Sequence, residues 1–211
     1  MLIPGQIVKH YLDCYKIQCK GALHIGAHEC EEQGFYSMIG VTPEKTLWVE
    51  ALQRKVDEMK AKGVPHIVQA VMTDKDGEEV TFHVTNNVQS SSILPFGTHE
   101  VHHAWVKNVE ELKLKTTTID RLFEDLDKNP ANYTFWNLDI QGAELLALKG
   151  GQKALQYAKA VYCEINTEEV YKGCALLPEL DSFLESNGFR RVETKLTEFG
   201  WGDALYIRNE S

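Results

Sequence analysis

Short apolar runs alternate with longer amphipathic segments along most of this chain. The runs are rich in β-branched and aromatic residues and predict strands over 22–25, 46–49, 66–71, 134–138, 160–165, 189–195 and 204–208. Apolar residues at helical spacing predict helices over 7–17, 31–39, 52–62, 143–157 and 177–187. This alternation predicts an α/β fold, in which helices cover both faces of a mostly parallel sheet.

Residues 73–84 interrupt the alternation. The sequence TDKDGEEVTFHV contains an Asp-Gly turn followed by alternating Val80, Phe82 and Val84, which predicts an inserted β-hairpin. The stretch 85–115 lacks a clear period and is predicted to be a long loop with one short helix. Long loops in compact domains are usually functional, so 85–115 is the expected substrate loop.

Composition and charge narrow the class of protein. A chain of 211 residues, 43% of them hydrophobic, fits one globular domain over 1–211, with 1–20 as an N-terminal helical segment. A net charge of −9 without a Lys/Arg cluster argues against a nucleic-acid partner. No apolar run approaches the ~20 residues of a membrane helix, so no membrane partner is expected. Five cysteines without a charged-then-apolar leader predict free thiols in a reducing, cytoplasmic compartment.

The turn after the first predicted strand, Gly26-Ala27-His28, carries the first candidate chemistry. Ligands of parallel sheets bind beyond the carboxyl ends of the strands, and Gly26 can adopt the tight geometry needed there. Acids at 29, 31 and 32 oppose a pyrophosphate at the next helix and favour a ligand with a positive centre. Glu50, 24 residues after Gly26, can accept both hydroxyls of a ribose. The structural alternatives are a plain helix-start turn and an ordinary strand-end glutamate.

The segment FWNLDIQGAELLALKGG over 135–151 is the most specific motif in the chain. It contains Asp139 at the end of a predicted strand, the step Gly142-Ala143-Glu144 and the helix end Leu148-Lys149-Gly150. Together with the first turn and further pieces over about 21–208, it resembles the FkbM family of S-adenosylmethionine-dependent methyltransferases. Those further pieces are AVMTDKDGEEVTF, SSSIL, TTTIDRL, VYCEINTEEVYKG, NGF and WGDALYI.

The resemblance implies a seven-stranded, mostly parallel Rossmann-like class I methyltransferase sheet and methyl transfer to oxygen. The expected acceptor is a hydroxyl of a sugar, a glycan or a similar small polyhydroxylated compound. S-adenosylmethionine is the expected cofactor; a divalent metal is compatible with the chemistry but is not predicted. The residues expected to line the cofactor are His24, Gly26, Ala27, His28, Glu50, Ala51, Ala70, Val71, Ser92 and Asp139.

The resemblance also implies which part of the cofactor each position meets. Asp139 is expected to stand between cofactor and acceptor. The other expected contacts are the methionine part for Gly26, Ala27 and His28, the ribose for Glu50, and the adenine for Ala70 and Val71.

Three positions of the first strand and turn depart from the family pattern. The family usually has Asp at the position of His24, Asn at that of His28 and Gly at that of Cys30. Backbone contacts tolerate such changes, whereas the side-chain contacts at 24 and 28 are expected to differ.

Methyl transfer to a neutral hydroxyl needs alignment and benefits from a base. The candidates for that base are Asp139, Glu164 and the loop residue His103, with Glu144 as a further carboxylate. The structural alternatives are a strand-end cap for Asp139, helix stabilisation for Glu144 and a surface ion pair for Glu164. The residues expected at the acceptor are His99, His103, Gln141, Asn166 and Trp201.

The motif HEVHH over 99–103 indicates a second reaction class. It matches H-E-x-x-H, in which two histidines one helical turn apart bind zinc and the glutamate activates water. A zinc metallohydrolase is therefore the alternative enzyme, with Glu110, Glu111 or Glu124 needed to complete the site. A third interpretation is a cofactor- or glycan-binding module that keeps the fold without activity.

Overall fold

The computed structural model describes residues 1–209, and its main element is a seven-stranded sheet. Numbered in chain order, the strands of this sheet are β1 (Ala22–Ile25), β2 (Thr46–Glu50), β3 (Ile67–Gln69), β7 (Phe135–Leu138), β8 (Ala160–Asn166), β9 (Phe189–Leu196) and β10 (Trp201–Arg208). Their order across the sheet is β3–β2–β1–β7–β8–β10–β9. The first five in this order are parallel, while β10 runs antiparallel to both of its neighbours. The predicted α/β class and the seven-stranded, mostly parallel sheet are confirmed.

Helices cover both faces of this sheet. One core contains apolar side chains of α1 (Gly5–Cys14), α2 (Gln33–Met38) and α3 (Gln53–Ala61). The other contains side chains of α5 (Ile119–Asp125), α6 (Glu144–Lys149), α7 (Gln152–Leu155) and α8 (Leu177–Ser186). Because side chains alternate along a strand, β2 sends Trp48 into the first core and Leu47 and Val49 into the second. Among the helices of residues 1–209, none has the length and apolar surface that a membrane span requires.

A smaller sheet is inserted between β3 and β7. It consists of β4 (Val71–Met72), β5 (Glu79–Thr85) and β6 (Asn108–Thr117), in the order β4–β6–β5. An inserted antiparallel hairpin is present, but it is formed by β5 and β6. The prediction of a hairpin over residues 73–84 is wrong in its pairing, because β6 lies between β4 and β5, the strands that flank the Asp-Gly turn, and β4 pairs parallel with β6.

The predicted loop over 85–115 is wrong at its C-terminal end, because β6 begins at Asn108. Most of β6 is exposed and charged, so its sequence lacks the apolar alternation that marks a half-buried strand. Leu112 and Leu114 supply its contact with the small core around Phe82 and Val84. The expected short helix in this stretch is α4 (His99–His102).

The predicted helix over 143–157 is split into α6 and α7 at Gly150-Gly151. A Cβ on Gly150 would lie 2.1 Å from the carbonyl oxygen of Thr73, so only glycine allows this close approach of the two chain segments.

α5 is a helix that the apolar pattern did not predict. The hydroxyl of Thr118 caps it by accepting from the backbone N–H of Arg121 at 3.1 Å.

The strand order reverses direction at β1, which lies between β2 and β7. The register pairs Ile25 of β1 with Leu138 of β7, so both strands end at the same level. Gly26 and Asp139 follow these residues directly, at the position where α/β sheets bind their ligands.

Candidate active site

Gly26 and Asp139 meet through their backbones at the ends of β1 and β7. Gly26 has a φ of +93°, and a Cβ added to it would lie 1.9 Å from the carbonyl oxygen of Asp139. Its N–H donates to the carbonyl of Val49 at 2.9 Å, and the Asp139 N–H donates to that of Ile25 at 2.9 Å. The first turn is therefore fixed against both neighbouring strands, and no residue with a side chain fits at position 26.

The carboxylate of Glu50 is fixed by two backbone donors. Oε2 accepts from the N–H of His28 and Oε1 from the N–H of Leu52, each at 2.9 Å. His28 adopts a φ of +42°, which turns its N–H toward Glu50. Each carboxylate oxygen keeps a second acceptor position, so Glu50 can still accept hydrogen bonds from a ligand.

The inner cavity lies beyond the ends of β1, β2 and β7. Its lining combines the polar residues Glu50, Asp139 and Gln141 with the apolar residues Met72, Phe82, Ile93 and Ile140. Of the residues expected at the cofactor, seven line this cavity: Gly26, His28, Glu50, Ala51, Ala70, Val71 and Asp139.

Three residues expected at the cofactor lie elsewhere. Ala27 is buried in the core beside α2, because its N–H bonds to Val49 and its side chain points away from the cavity wall. Ser92 is buried and its hydroxyl donates to the carbonyl of Gln141 at 2.8 Å; alternation of the extended chain puts Ser91 and Ile93 at the cavity instead. His24 lies beneath the turn and borders the neighbouring cleft.

The outer cleft adjoins the inner cavity and has an empty volume of about 1330 Å³, its open mouth included. Both spaces are lined by Gly26, His28, Gln89, Asp139 and Gln141. The remaining walls of the cleft include Glu164, Tyr171, Trp201, His99, His103 and Trp105.

Most residues expected at the acceptor or as a base therefore border the outer cleft. Asn166 and Glu144 do not. Asn166 pairs with Trp201 and bridges to Leu176, which leaves it 1% exposed, and Glu144 lies in the turn after β7.

Gln141 joins the two acids of the outer cleft. Its Nε2 donates to Oδ1 of Asp139 and to Oε2 of Glu164, each at 2.7 Å. Its Oε1 accepts from the hydroxyl of Tyr171 at 2.7 Å, which fixes the orientation of the amide. Gln141 has a φ of +58° and precedes Gly142 at +96°, so a strained turn aims this side chain between the carboxyl groups.

The two acids share an environment that disfavours a full negative charge on both. Burial raises the pKa of Glu164 well above its ordinary value, and the charges of Asp139 and Glu144 raise it further. The amide of Gln141 bonds to both carboxyl groups and holds them close together. Glu164 therefore keeps its proton at pH values where an isolated glutamate is ionised.

Glu144 belongs to the turn rather than to the cleft. Its Oε1 accepts from the backbone N–H of Ile140 at 2.8 Å and of Gly142 at 3.2 Å, and the residue is 3% exposed. Burial raises its pKa to about 7, although the two backbone donors act against that rise. This acid holds the turn that carries Gln141.

The histidines of HEVHH point in different directions. His99 stacks on Phe96 with ring centroids 4.4 Å apart, and His103 lies 5.0 Å from His99; both line the outer cleft. His102 instead meets Glu168, with 2.9 Å between Nε2 and Oε1. Within residues 1–209, no three metal-ligating side chains are grouped, and Glu110, Glu111 and Glu124 do not join the histidines.

Several residues that line the inner cavity were not predicted from the sequence. Phe82, Val88, Gln89, Ser91 and Ile93 reach the inner cavity from the inserted segment. The signal that could have found them is the alternation of Phe82 and Val84, which already marked one face of the insertion as buried. Val88 has a φ of +64°, and no sequence pattern predicts this left-handed conformation for a β-branched residue.

The inner cavity suits S-adenosylmethionine in its donor groups. Glu50 offers two carboxylate oxygens, the apolar lining residues can cover a purine, and the acids after Gly26 suit a positive sulfur. The outer cleft meets this cavity at Asp139, so a ligand in either space can approach the same acid.

Comparison with known proteins gives the family. The family described as Methyltransferase FkbM domain matches residues 24–191, and the chain belongs to it. It is therefore an S-adenosylmethionine-dependent methyltransferase, as the motifs predicted. No curated protein matches the chain significantly.

Two solved structures illustrate what the chain is similar to. Magnesium protoporphyrin IX methyltransferase from Synechocystis PCC 6803, with bound SAM, is 11% identical with a TM-score of 0.47; the match covers 97% of this chain and 78% of that one. A SAM-dependent methyltransferase from Aquifex aeolicus is 14% identical with a TM-score of 0.45, over 99% of this chain and 91% of that one.

Proposed function

We propose that this enzyme transfers the methyl group to a hydroxyl of a sugar, a glycan or a similar small polyol. The inner cavity would hold the cofactor and the outer cleft the acceptor. The observation that carries the proposal is the position of Asp139, which borders both spaces and shares Gln141 with Glu164. One single-domain chain would then contain both half-sites.

Cofactor binding would rest on the residues that the two turns fix in place. Glu50 would accept hydrogen bonds from the ribose hydroxyls, because both of its oxygens are already oriented by backbone donors. Ala70 and Val71 would flank the adenine, and Gly26 and His28 the methionine part. Preoriented groups lose little freedom on binding, which favours affinity.

The carboxyl pair would receive the proton of the acceptor. When bound, S-adenosylmethionine supplies a methyl group on a cationic sulfur, which keeps the electron pair of the broken carbon–sulfur bond as the acceptor oxygen takes the methyl. Asp139 and Glu164 would take up the hydroxyl proton between them, because Gln141 bonds to both carboxyl groups. Gln141 would keep the two carboxyl groups aligned, and His103 on the same wall is the alternative base.

The rim of the cleft would bind the body of the acceptor. Trp201 and the 65%-exposed Trp105 offer aromatic faces on which a sugar ring can stack. His99 and Gln141 offer polar atoms between them. Residues 85–107, which carry α4 and Trp105, would therefore be the acceptor-binding part of the insertion.

The five cysteines support a reducing, cytoplasmic location for this reaction. All of them are free thiols, and Cys30, Cys163 and Cys174 are buried. Burial raises the pKa of Cys30 to about 12, so this thiol beside the cofactor turn stays protonated and unreactive.

The test is Asp139→Asn, which keeps the shape of the side chain and removes its charge. The affinity for S-adenosylhomocysteine should change little, while single-turnover methylation of a hydroxylated acceptor falls by at least about tenfold, ~1.4 kcal/mol. Asp57→Asn on the exposed side of α3 is the control. A wild-type rate in Asp139→Asn would move the base to His103.

Two other results would support the alternative functions. Stoichiometric zinc lost in His99→Ala would support the metallohydrolase, and cofactor binding without turnover on any hydroxylated acceptor would support a binding module.

A further inference from the structure

The outer cleft is negatively charged along its walls. Its carboxylic residues are Glu31, Glu32, Asp139, Glu164 and Asp203, and the lining described within residues 1–209 contains neither lysine nor arginine. Glu164 and Asp203 are buried, so water screens their charges little and they disfavour an anionic ligand, whereas the charge of the exposed Glu31 is screened.

Three of these acids already have partners. Asp203 accepts from the N–H of Leu2 and the hydroxyl of Tyr162. Glu31 lies 3.0 Å from Nδ1 of His28, and Glu32 lies 3.7 Å from the amino group of Met1. Asp139 and Glu164 have only the neutral amide of Gln141 in common.

A neutral amide cannot cancel two charges. Glu164 is 5% exposed and shares the amide of Gln141 with Asp139, so the two carboxyl groups are stabilised either by a bound proton or by a cation placed beside them. The proton is the solution that the protein adopts alone. A ligand that brings its own positive charge can take the place of that proton.

His99 gives an independent sign of a polar ligand. The residue is 6% exposed, lines the outer cleft, and its Nδ1 is buried without a hydrogen-bond partner. Burial, with smaller effects from His103 and His102, lowers the pKa of His99 to about 4, so the ring is neutral near pH 7. The unpartnered nitrogen of this neutral imidazole can form a hydrogen bond with a donor or an acceptor of the ligand.

We infer that the acceptor is an amino-bearing polyol of the aminosugar or aminocyclitol class, whose ammonium group pairs with Glu164 while a neighbouring hydroxyl meets Asp139. This inference rests on the proposed function, since it names the acceptor of the same site. The ammonium group displaces the proton of the carboxyl pair, which leaves the pair ionised and able to take the hydroxyl proton. Uronic or phosphorylated acceptors meet like charges and are excluded.

The experiment titrates the full chain, saturated with S-adenosylhomocysteine, with three matched sugars. Methyl glucosaminide carries the ammonium group, methyl N-acetylglucosaminide is its neutral analogue, and methyl glucuronide is the anion. The aminosugar should bind at least about tenfold more tightly than either of the others at pH 7, ~1.4 kcal/mol. Equal or tighter binding of the neutral or anionic sugar overturns the inference, and so does undetectable binding of the aminosugar at tens of millimolar.

Glu164→Gln tests the assigned partner of the ammonium group. The variant should lose the preference for the aminosugar and keep its affinity for the neutral sugar, whereas the exposed Glu185→Gln on α8 should behave as wild type. An unchanged preference in Glu164→Gln overturns the assignment. Loss of S-adenosylhomocysteine binding would indicate failure of the proposed function. An unchanged sugar preference with unaltered binding of S-adenosylhomocysteine contradicts only the assignment of Glu164.

The pH dependence of binding gives a second readout. Because the ammonium group replaces a proton, the affinity for the aminosugar should increase as the pH rises from 5 to 7, while that for the neutral sugar stays constant. A parallel response of both sugars overturns the exchange. The titratable groups around the pair are the amino group of Met1, His24 on β1, His28, Glu31 and Glu32 after it, His99 and His103 at α4, Glu144 on α6, and Tyr171 and Asp203.

Discussion

Nδ1 of His24 lies 2.6 Å from the hydroxyl oxygen of Tyr36. Nε2 of the same ring lies 3.2 Å from the carbonyl oxygen of Gly26, which can only accept, so Nε2 carries the proton and Nδ1 accepts from Tyr36. The tyrosine oxygen accepts in turn from Nδ2 of Asn137 at 3.1 Å. A buried chain of three side chains thus supports the turn at Gly26.

Removing the middle of this chain should destabilise the protein and its cofactor turn. In Tyr36→Phe, His24 and Asn137 lose a buried partner, so the free energy of unfolding should fall by about 1–3 kcal/mol. The affinity for S-adenosylhomocysteine should fall with it, because the ring that holds Gly26 is no longer oriented. Urea denaturation and calorimetry measure the two effects. Tyr157→Phe, at a half-exposed position, is the control, and equal values for both variants would contradict the role of the chain.

Gly26→Ala should be far more damaging than an alanine at another left-handed glycine. The new Cβ would clash with the Asp139 carbonyl, 1.9 Å away, so the ends of β1 and β7 must separate. We expect loss of measurable cofactor binding and a drop of more than ~2 kcal/mol in the free energy of unfolding. Gly40→Ala is the matched control: its φ is +82°, with no atom within 4 Å of the added Cβ. Similar losses in the two variants would show that backbone strain, rather than the contact with Asp139, is the cause.

Glu50→Gln should weaken cofactor binding while the fold is kept. An amide has one acceptor atom where the carboxylate has two, so one of the N–H groups of His28 and Leu52 loses its partner. The ribose hydroxyls also lose a charged acceptor. The dissociation constant of S-adenosylhomocysteine should rise at least about tenfold, ~1.4 kcal/mol. Calorimetry on this variant and on the exposed Glu44→Gln gives the comparison, and an unchanged constant would remove Glu50 from the cofactor site.

Glu144→Gln should flatten the pH dependence of stability. Folding raises the pKa of Glu144 from 4.5 to about 7, so its protonated form stabilises the fold fully below pH 4.5 and this contribution is lost as the pH rises through about 7. The variant keeps an uncharged acceptor for Ile140 and Gly142 and should gain on the order of 1–3 kcal/mol over wild type at pH 8 relative to pH 5. Urea denaturation at the two pH values tests this. Wild-type and variant curves that run parallel would contradict it, and Glu185→Gln should follow the wild type.

The sequence predicted the centre of the large sheet well because β1, β2, β7 and β8 are buried along their whole length. β6 could not be found in this way, since six of its eight residues up to Lys115 are exposed and its pairing with β5 is what reveals the strand. Asp139 and Glu164 were predicted at strand ends, because the carboxyl ends of parallel strands share one edge. The bridge that Gln141 makes between them depends on a left-handed turn and on the spacing of β7 and β8, and local residue patterns encode neither.

The stretch between β5 and β6 contributes to both spaces of the site. It supplies Val88, Ser91 and Ile93 to the inner cavity, Gln89 to both spaces, and His99, His103 and Trp105 to the outer cleft. Asp139, Gln141 and Glu164 instead come from the turn after β7 and from β8. Exchange of that stretch between relatives would therefore change the rim of the outer cleft in a single recombination event, together with part of the inner cavity, while the carboxyl pair is inherited unchanged.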